Sequence, residues 1–131
     1  MKGNPMNIPT HLKYAQNDEW LSPEGVVGIS DYAQDQLSDV VYVEIAVAVG
    51  DTVNKGDTIG TVESVKAAAD VYAPVGGKVV AINEALADKP ETVNGDPYGD
   101  AWLIKLEVAD AAELDELMDA AAYETFCAGR A

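Results

Sequence analysis

Residues 62–70 read VESVKAAAD and set one amine, Lys66, among small side chains, with a carboxylate on either side at Glu63 and Asp70. A lysine in such a setting is either a solvated surface charge or an amine that is itself the reason for the segment. Val65 precedes it and three alanines follow, so nothing large covers it. Other reactive side chains are scarce: the chain has one cysteine, Cys127, and one histidine, His11. Cys127 alone closes no internal disulfide and no CxxC pair, and its place in the C-terminal tail suits an inert thiol better than a nucleophile. One histidine leaves little material for a Ser-His-Asp or Cys-His-Asn triad, and no His/Cys pair has zinc spacing, so no metal site is expected. The chain reads as a non-enzyme that does no side-chain chemistry of its own.

Charge narrows the partners. Acids outnumber bases 23 to 8, a formal net charge of −15, which repels nucleic acid and anionic membrane surfaces. The same field favours solubility and docking onto positively charged partner surfaces. The longest apolar-leaning run, Val40 to Val49, is interrupted by Glu44 and is far too short to span a bilayer. The start, MKGNPMNIPT, has neither an apolar signal core nor an Arg/Ser-rich amphipathic pattern, so a cytoplasmic protein is expected. A length of 131 residues suits one hydrophobic core.

The elements that must position Lys66 are mostly short strands. An apolar strand around Leu12–Ala15 leads into a polar turn at Asn17 and Asp18, then Trp20 and a second turn at Pro23-Glu24-Gly25. Ser30 is a good N-cap for a short helix through DYAQDQL, with Asp31 in its first turn. DVVYVEIAV, residues 39–47, is rich in β-branched residues and predicts a strand. Gly50-Asp51 and Lys55-Gly56-Asp57 punctuate the stretch before Lys66, and Pro74 and Gly76-Gly77 bound KVVAI after it. Strand, glycine turn, strand on both sides suggests a pseudo-symmetric pair of hairpins. Lys66 then falls near the tip of the connection between them, although SVKAAAD has no Gly, Pro or Asn and its alanines favour helix. Residues 83–100 read as a long irregular connection. WLIKLEV, residues 102–108, alternates outward Lys105 and Glu107 with inward Ile104 and Leu106. Leu114, Leu117, Met118 and Ala121 fall at helical spacing, followed by Tyr123 and Phe126, and predict one or two amphipathic helices capping the β core.

GDTVNKGDTIGTVESVKAAADVYAPVGGKVVAINEAL resembles the lipoyl-attachment region of the glycine cleavage H proteins. KYAQNDEWL, GISDYAQDQLSDVVYVEI, VNGDPYGDAWLIKLE and ELDELMDAAAYETF resemble that family's other segments in the same order, from about Lys13 to Phe126. The resemblance implies a mainly β barrel-sandwich hybrid with a short internal helix and C-terminal helices. It also implies a domain plan of an N-terminal segment over 1–12 and one carrier domain over 13–131, with a helical extension from about 110. Lys66 would be the lysine acylated with lipoate, carried on an exposed hairpin. The implied function is a carrier that takes an aminomethyl group of glycine from a pyridoxal-phosphate glycine decarboxylase to a tetrahydrofolate-dependent aminomethyltransferase, and is reoxidised by dihydrolipoamide dehydrogenase. A lipoate ligase or an octanoyltransferase would load it, and it would be a monomer. By matching position, Glu19 and Asp70 would hold the amine on the loaded arm, while Glu63, Val65 and Ala67 would help the modifying enzyme recognise the hairpin. Two departures stand out: Asp18 occupies a position that is commonly His in the family, and Gln36 one that can be His.

Three alternatives keep the same fold. A biotinyl carrier would usually place Met on both sides of the lysine, where Val65 and Ala67 stand. A lipoyl domain of a 2-oxo acid dehydrogenase would be shorter and tethered by a flexible linker, and nothing here resembles one. The third is an unmodified acidic adaptor, which would have lost the cofactor on Lys66, or a lipoate-relay protein with the same fold.

Overall fold

The computed structural model describes residues 7–130. Residues 1–6 of the expected N-terminal segment, and Ala131, lie outside the described residues. Strands β1 (Lys13–Tyr14), β2 (Glu19–Leu21) and β3 (Val26–Ile29) form an antiparallel meander. Helix α1 (Asp31–Leu37) follows, and Ser30 Oγ caps it by accepting from Ala33 N at 3.1 Å. Then come β4 (Val40–Ile45), β5 (Thr52–Val53), β6 (Thr58–Ser64), β7 (Ala68–Tyr72) and β8 (Gly77–Ile82). Short helices α2 (Ala85–Asp88) and α3 (Thr92–Gly95) precede β9 (Ile104–Val108). A 3-10 turn (Ala111–Glu116) and helix α4 (Ala120–Ala128) close the described chain. The fold is the expected mainly β one: two antiparallel sheets, neither closed into a barrel, with strand orders β1-β2-β3-β9-β8-β5 and β4-β6-β7. No helix among the described residues is long and apolar enough to cross a membrane.

Pairing around Lys66 differs from two flanking hairpins. The lysine instead tops one long bent hairpin, whose two arms change sheet together. Near the tip β6 pairs with β7; beyond the bend β5 pairs with β8 in the other sheet. Backbone bonds carry the ladder round the corner, from Gly56 N to Ala73 O at 2.9 Å and from Ala73 N to Asp57 O at 2.8 Å. Burial explains the bend, because Val53, Ile59, Val71, Val75 and Val79 all reach the space between the sheets only if each arm crosses it. Ala68 and Ala69 lie in a strand despite their helix preference, held opposite Glu63 and Val62. Cross-strand pairing overrides local propensity here.

A second apolar cluster lies outside the sandwich. Leu12, Tyr14, Trp20, Tyr32, Tyr123 and Cys127 pack together, with Tyr14 and Tyr123 stacked at a 4.5 Å centroid distance. This cluster docks α4 onto the β1–β2 ribbon, and Tyr14 exchanges backbone bonds with Met118 at 2.8 Å in each direction. The predicted C-terminal stripe is corrected accordingly. Leu114 sits in the 3-10 turn, Met118 is extended, Ala121 is exposed, and the buried face of α4 is Ala120, Tyr123 and Cys127. The 83–100 connection is also less irregular than expected, since α2 and α3 bury Leu86 and Val93. Asn94 fastens it, accepting from Val40 N at 2.8 Å and donating to Ser38 O at 2.7 Å. Strand β9 keeps the predicted alternation, with Ile104 and Leu106 buried and Lys105 and Glu107 exposed.

Gly25 locks the meander to β9. Its φ is +90°, its carbonyl accepts from Leu106 N at 2.8 Å, and a Cβ built on it would lie 2.1 Å from Leu106 O. Gly25→Ala therefore meets both a disfavoured dihedral and a backbone clash. Urea unfolding should show a loss of at least about 2 kcal/mol with an unchanged m-value; a midpoint equal to wild type would refute the clash.

Candidate functional site

The turn that presents Lys66 is built by a serine. Ser64 Oγ accepts from Lys66 N at 3.2 Å and Ala67 N at 3.0 Å, and Ser64 N donates to Ala67 O at 2.7 Å. One hydroxyl thus does locally what Gly, Pro or Asn does in commoner turns. Val65 N donates to Asp39 O at 3.0 Å, which fastens the tip to the start of β4. The root of Lys66 is thereby fixed, while its side chain is exposed and makes no ion pair among the described residues. Lys55, by contrast, is paired with Glu116. Val65 and Ala67 are exposed beside Lys66, and Glu63 is exposed on β6 opposite Tyr42 and Ala68.

Below the tip, α1 and the β1–β2 turn face the edge of β7 across a cleft of about 270 Å³. Its walls bring together Asp18, Glu19, Gln36 and Asp70, with Tyr32 and Arg130 alongside. Asp70 and Glu19, paired in the sequence reading, do meet at this cleft, but in unlike states. Asp70 is exposed and accepts from Thr61 Oγ1 at 3.2 Å. Glu19 is 1% exposed, and its Oε2 accepts from Tyr72 N at 3.0 Å, tying β2 to the end of β7 across the two sheets.

Asp18 is not an open carboxylate. Its Oδ1 accepts from Tyr123 OH and Arg130 Nη1, each at 2.7 Å, and its Oδ2 accepts from Arg130 Nη2 at 2.8 Å. This fork-on-fork pair is the geometry in which arginine binds carboxylate best. The guanidinium also lies 4.3 Å above the Tyr32 ring and 4.8 Å from Phe126. Ser30 Oγ, the cap of α1, meets Tyr123 OH at 2.6 Å. A chain of contacts therefore runs from α1 through α4 to the cleft wall. Sequence reasoning overlooked Ser64, Tyr123 and Arg130; the available signal for the last is that it is the only arginine in the chain.

Burial pushes the Glu19 carboxyl up to about 7, against the pull of the Tyr72 amide and with a further push from Asp18. In the unfolded chain the group titrates near 4.5. Between these values the folded protein holds a proton that the unfolded chain has released. This contribution to stability is therefore full below about 4.5, falls as pH rises, and is gone above about 7. Glu19→Gln keeps an acceptor for Tyr72 N and removes the titration. From about pH 5 to about pH 8, wild type should lose about 2 kcal/mol more than the variant in urea unfolding. Parallel pH profiles would remove Glu19 from the pH dependence.

The profile of the glycine cleavage H-protein family matches residues 12–129. A glycine cleavage system H protein of Alteromonas mediterranea is 57% identical over 122 residues, covering 90% of this chain and 94% of that one. One from an Anaeromyxobacter species is 51% identical over 124 residues, covering 92% and 96%. The crystal structure of a glycine cleavage system H protein from Mycobacterium marinum superposes with a TM-score of 0.78 at 35% identity, covering 90% of this chain and 97% of that one.

Proposed function

The chain belongs to the glycine cleavage H-protein family, and on that premise we propose that it is a lipoyl carrier loaded on Lys66. The observation that carries this reading is an exposed lysine, without an ion pair among the described residues, on a hairpin tip whose backbone is pinned by Ser64 and Asp39. The residues fit an acyl group: small neighbours leave the amine open, and an amide to lysine is a stable anchor.

Loading forms the bond from Lys66 Nζ to the acyl carbon of an activated lipoyl or octanoyl donor. The bond from that carbon to its leaving group breaks, and the leaving group departs with its electron pair. The ammonium proton passes to a base of the modifying enzyme, because only the neutral amine has the lone pair that attacks the acyl carbon. Lipoate ligase and octanoyltransferase are the two enzyme classes for this step, and Glu63, Val65 and Ala67 are the residues they would read at the tip. When bound, lipoate supplies a disulfide that accepts a one-carbon group and is regenerated by thiol–disulfide exchange.

The chain's own part is mechanical and electrostatic. A rigid tip fixes the root of the arm, and the cleft offers carboxylates to a primary amine carried at its far end. Asp70 is the open acceptor at the cleft edge, and Glu19 is the buried one behind it. Asp18 is already neutralised by Arg130, so it adds little. The partners are a glycine decarboxylase, an aminomethyltransferase and dihydrolipoamide dehydrogenase, met in the cytoplasm, with the chain acting as a non-catalytic component.

Protein purified from its own host under active glycine cleavage should exceed its sequence mass by one lipoyl group, and Lys66→Ala should abolish the increment. An unmodified wild-type mass under those conditions would sink the carrier reading and favour the acidic adaptor. In the loaded protein, Asp70→Asn should shorten the half-life of the arm-borne amine about threefold, the order expected for a partly exposed ion pair. An unchanged half-life would remove Asp70 from that role.

A further inference from the structure

Exposed large apolar side chains gather near the lysine. Among the described residues, Val41 is 53% exposed, Tyr42 47% and Val65 68%. Three features hold them in one neighbourhood. Tyr42 stands opposite Glu63, three residues before Lys66. The pairing of β4 with β6 shifts between Val40 and Tyr42, so Val41 is an extra residue turned out of the ladder. Val65 N is hydrogen-bonded to Asp39 O, two residues before Val41. The fold has no use for this exposure, since Val40 and Val43 already supply the inward side of β4.

The rim is acidic. Asp39, Glu44 and Glu63 are exposed around these residues, and β4, β6 and β7 carry no lysine or arginine. Lys66 is thus the one base of this sheet and its hairpin tip. An apolar centre with a single-sign polar rim is the anatomy of a protein-binding patch.

We propose that Val41, Tyr42 and Val65 form the docking patch for the enzyme that acylates Lys66, a partner with an apolar depression edged by lysine or arginine. The proposal rests on the carrier reading and goes beyond the hairpin tip to the bulged strand beside it. Position selects this partner over the enzymes that use the loaded arm. An acylating enzyme must bring a carbonyl into bonding contact with Nζ at the root of the arm, so its surface necessarily covers the tip and what lies beside it. Enzymes acting at the far end of a long flexible arm have no such requirement. Charge complementarity points the same way, because the rim acids attract a basic edge and steer it toward the lysine.

The test uses the full unloaded chain, a purified lipoate ligase, lipoate and ATP, with loading followed by intact mass. The V41T/Y42T variant keeps β-branched residues in the strand and removes the apolar surface. It should load with kcat/KM reduced about tenfold, as for loss of central contacts in an interface, with an unchanged melting midpoint. Val65→Ser, outside any strand, should give a loss in the same direction and serves if V41T/Y42T does not fold. Once fully loaded, both variants should support glycine cleavage with the partner enzymes at the wild-type rate. Wild-type loading kinetics in both variants would overturn the proposal, and so would normal loading followed by slowed use of the arm, which would assign the patch to another partner. If the wild-type chain itself is not acylated at Lys66, the carrier reading fails, and this inference with it.

Discussion

One hairpin whose two arms cross together from one sheet to the other is the constraint on which this structure depends. The ladder between its arms runs from the tip through β6 and β7, turns at Gly56, Asp57 and Ala73, and ends in β5 and β8. Because each arm contributes buried side chains to both sheets, the base of the hairpin is held by the core between them. A flexible arm attached there would start from a fixed point. The search of its far end is then limited to a shell around that point, which raises its effective concentration at any partner docked nearby.

The cleft beneath the tip sets two demands against each other. Glu19 binds the backbone of Tyr72 and so helps fasten β2 to the crossing hairpin, yet burial makes its charge unfavourable. A neutral Glu19 favours the empty folded state, whereas an ammonium brought into the cleft favours the ionised one. On the proposed reading, stability and amine retention would be coupled through one carboxyl, because a cation held there would draw its pKa down. Arg130 keeps this from becoming a three-acid pocket. By pairing with Asp18 it removes one negative charge from the wall while anchoring the end of α4.

Much of the fold was legible because its local and global preferences agree. Ser30 before DYAQDQL, the β-branched run of β4 and the alternation of Ile104 through Glu107 each meet the same demand in isolation as in the folded chain. Where they conflict, the sequence misled. Three alanines after Lys66 prefer helix but are held in or beside a strand by cross-strand partners. The regular spacing of Leu114 to Ala121 suggested a continuous stripe, but the chain leaves the helical path at Leu117 and Met118 to pair with Tyr14. Lys66 was singled out by the resemblance of the segments around it, since local propensity alone pointed to helix. The burial of Glu19, and the pairing of Asp18 with a residue 112 positions away, could not be found in the sequence. Both depend on how distant elements meet, which no local window contains.

The charge pattern gives the sequence of events at the tip its direction. Lys66 is the one cation of an acidic sheet and its hairpin tip, and on the proposed reading the acids around it, rather than the lysine, would draw a basic-edged enzyme to the site. Acylation there would remove that cation and take the formal charge from −15 to about −16. Loading as proposed would therefore erase the tip's one positive charge and deepen the negative field around it. On that reading, enzymes that use the arm would meet a tip whose one cation has been removed and whose surrounding charges are acidic.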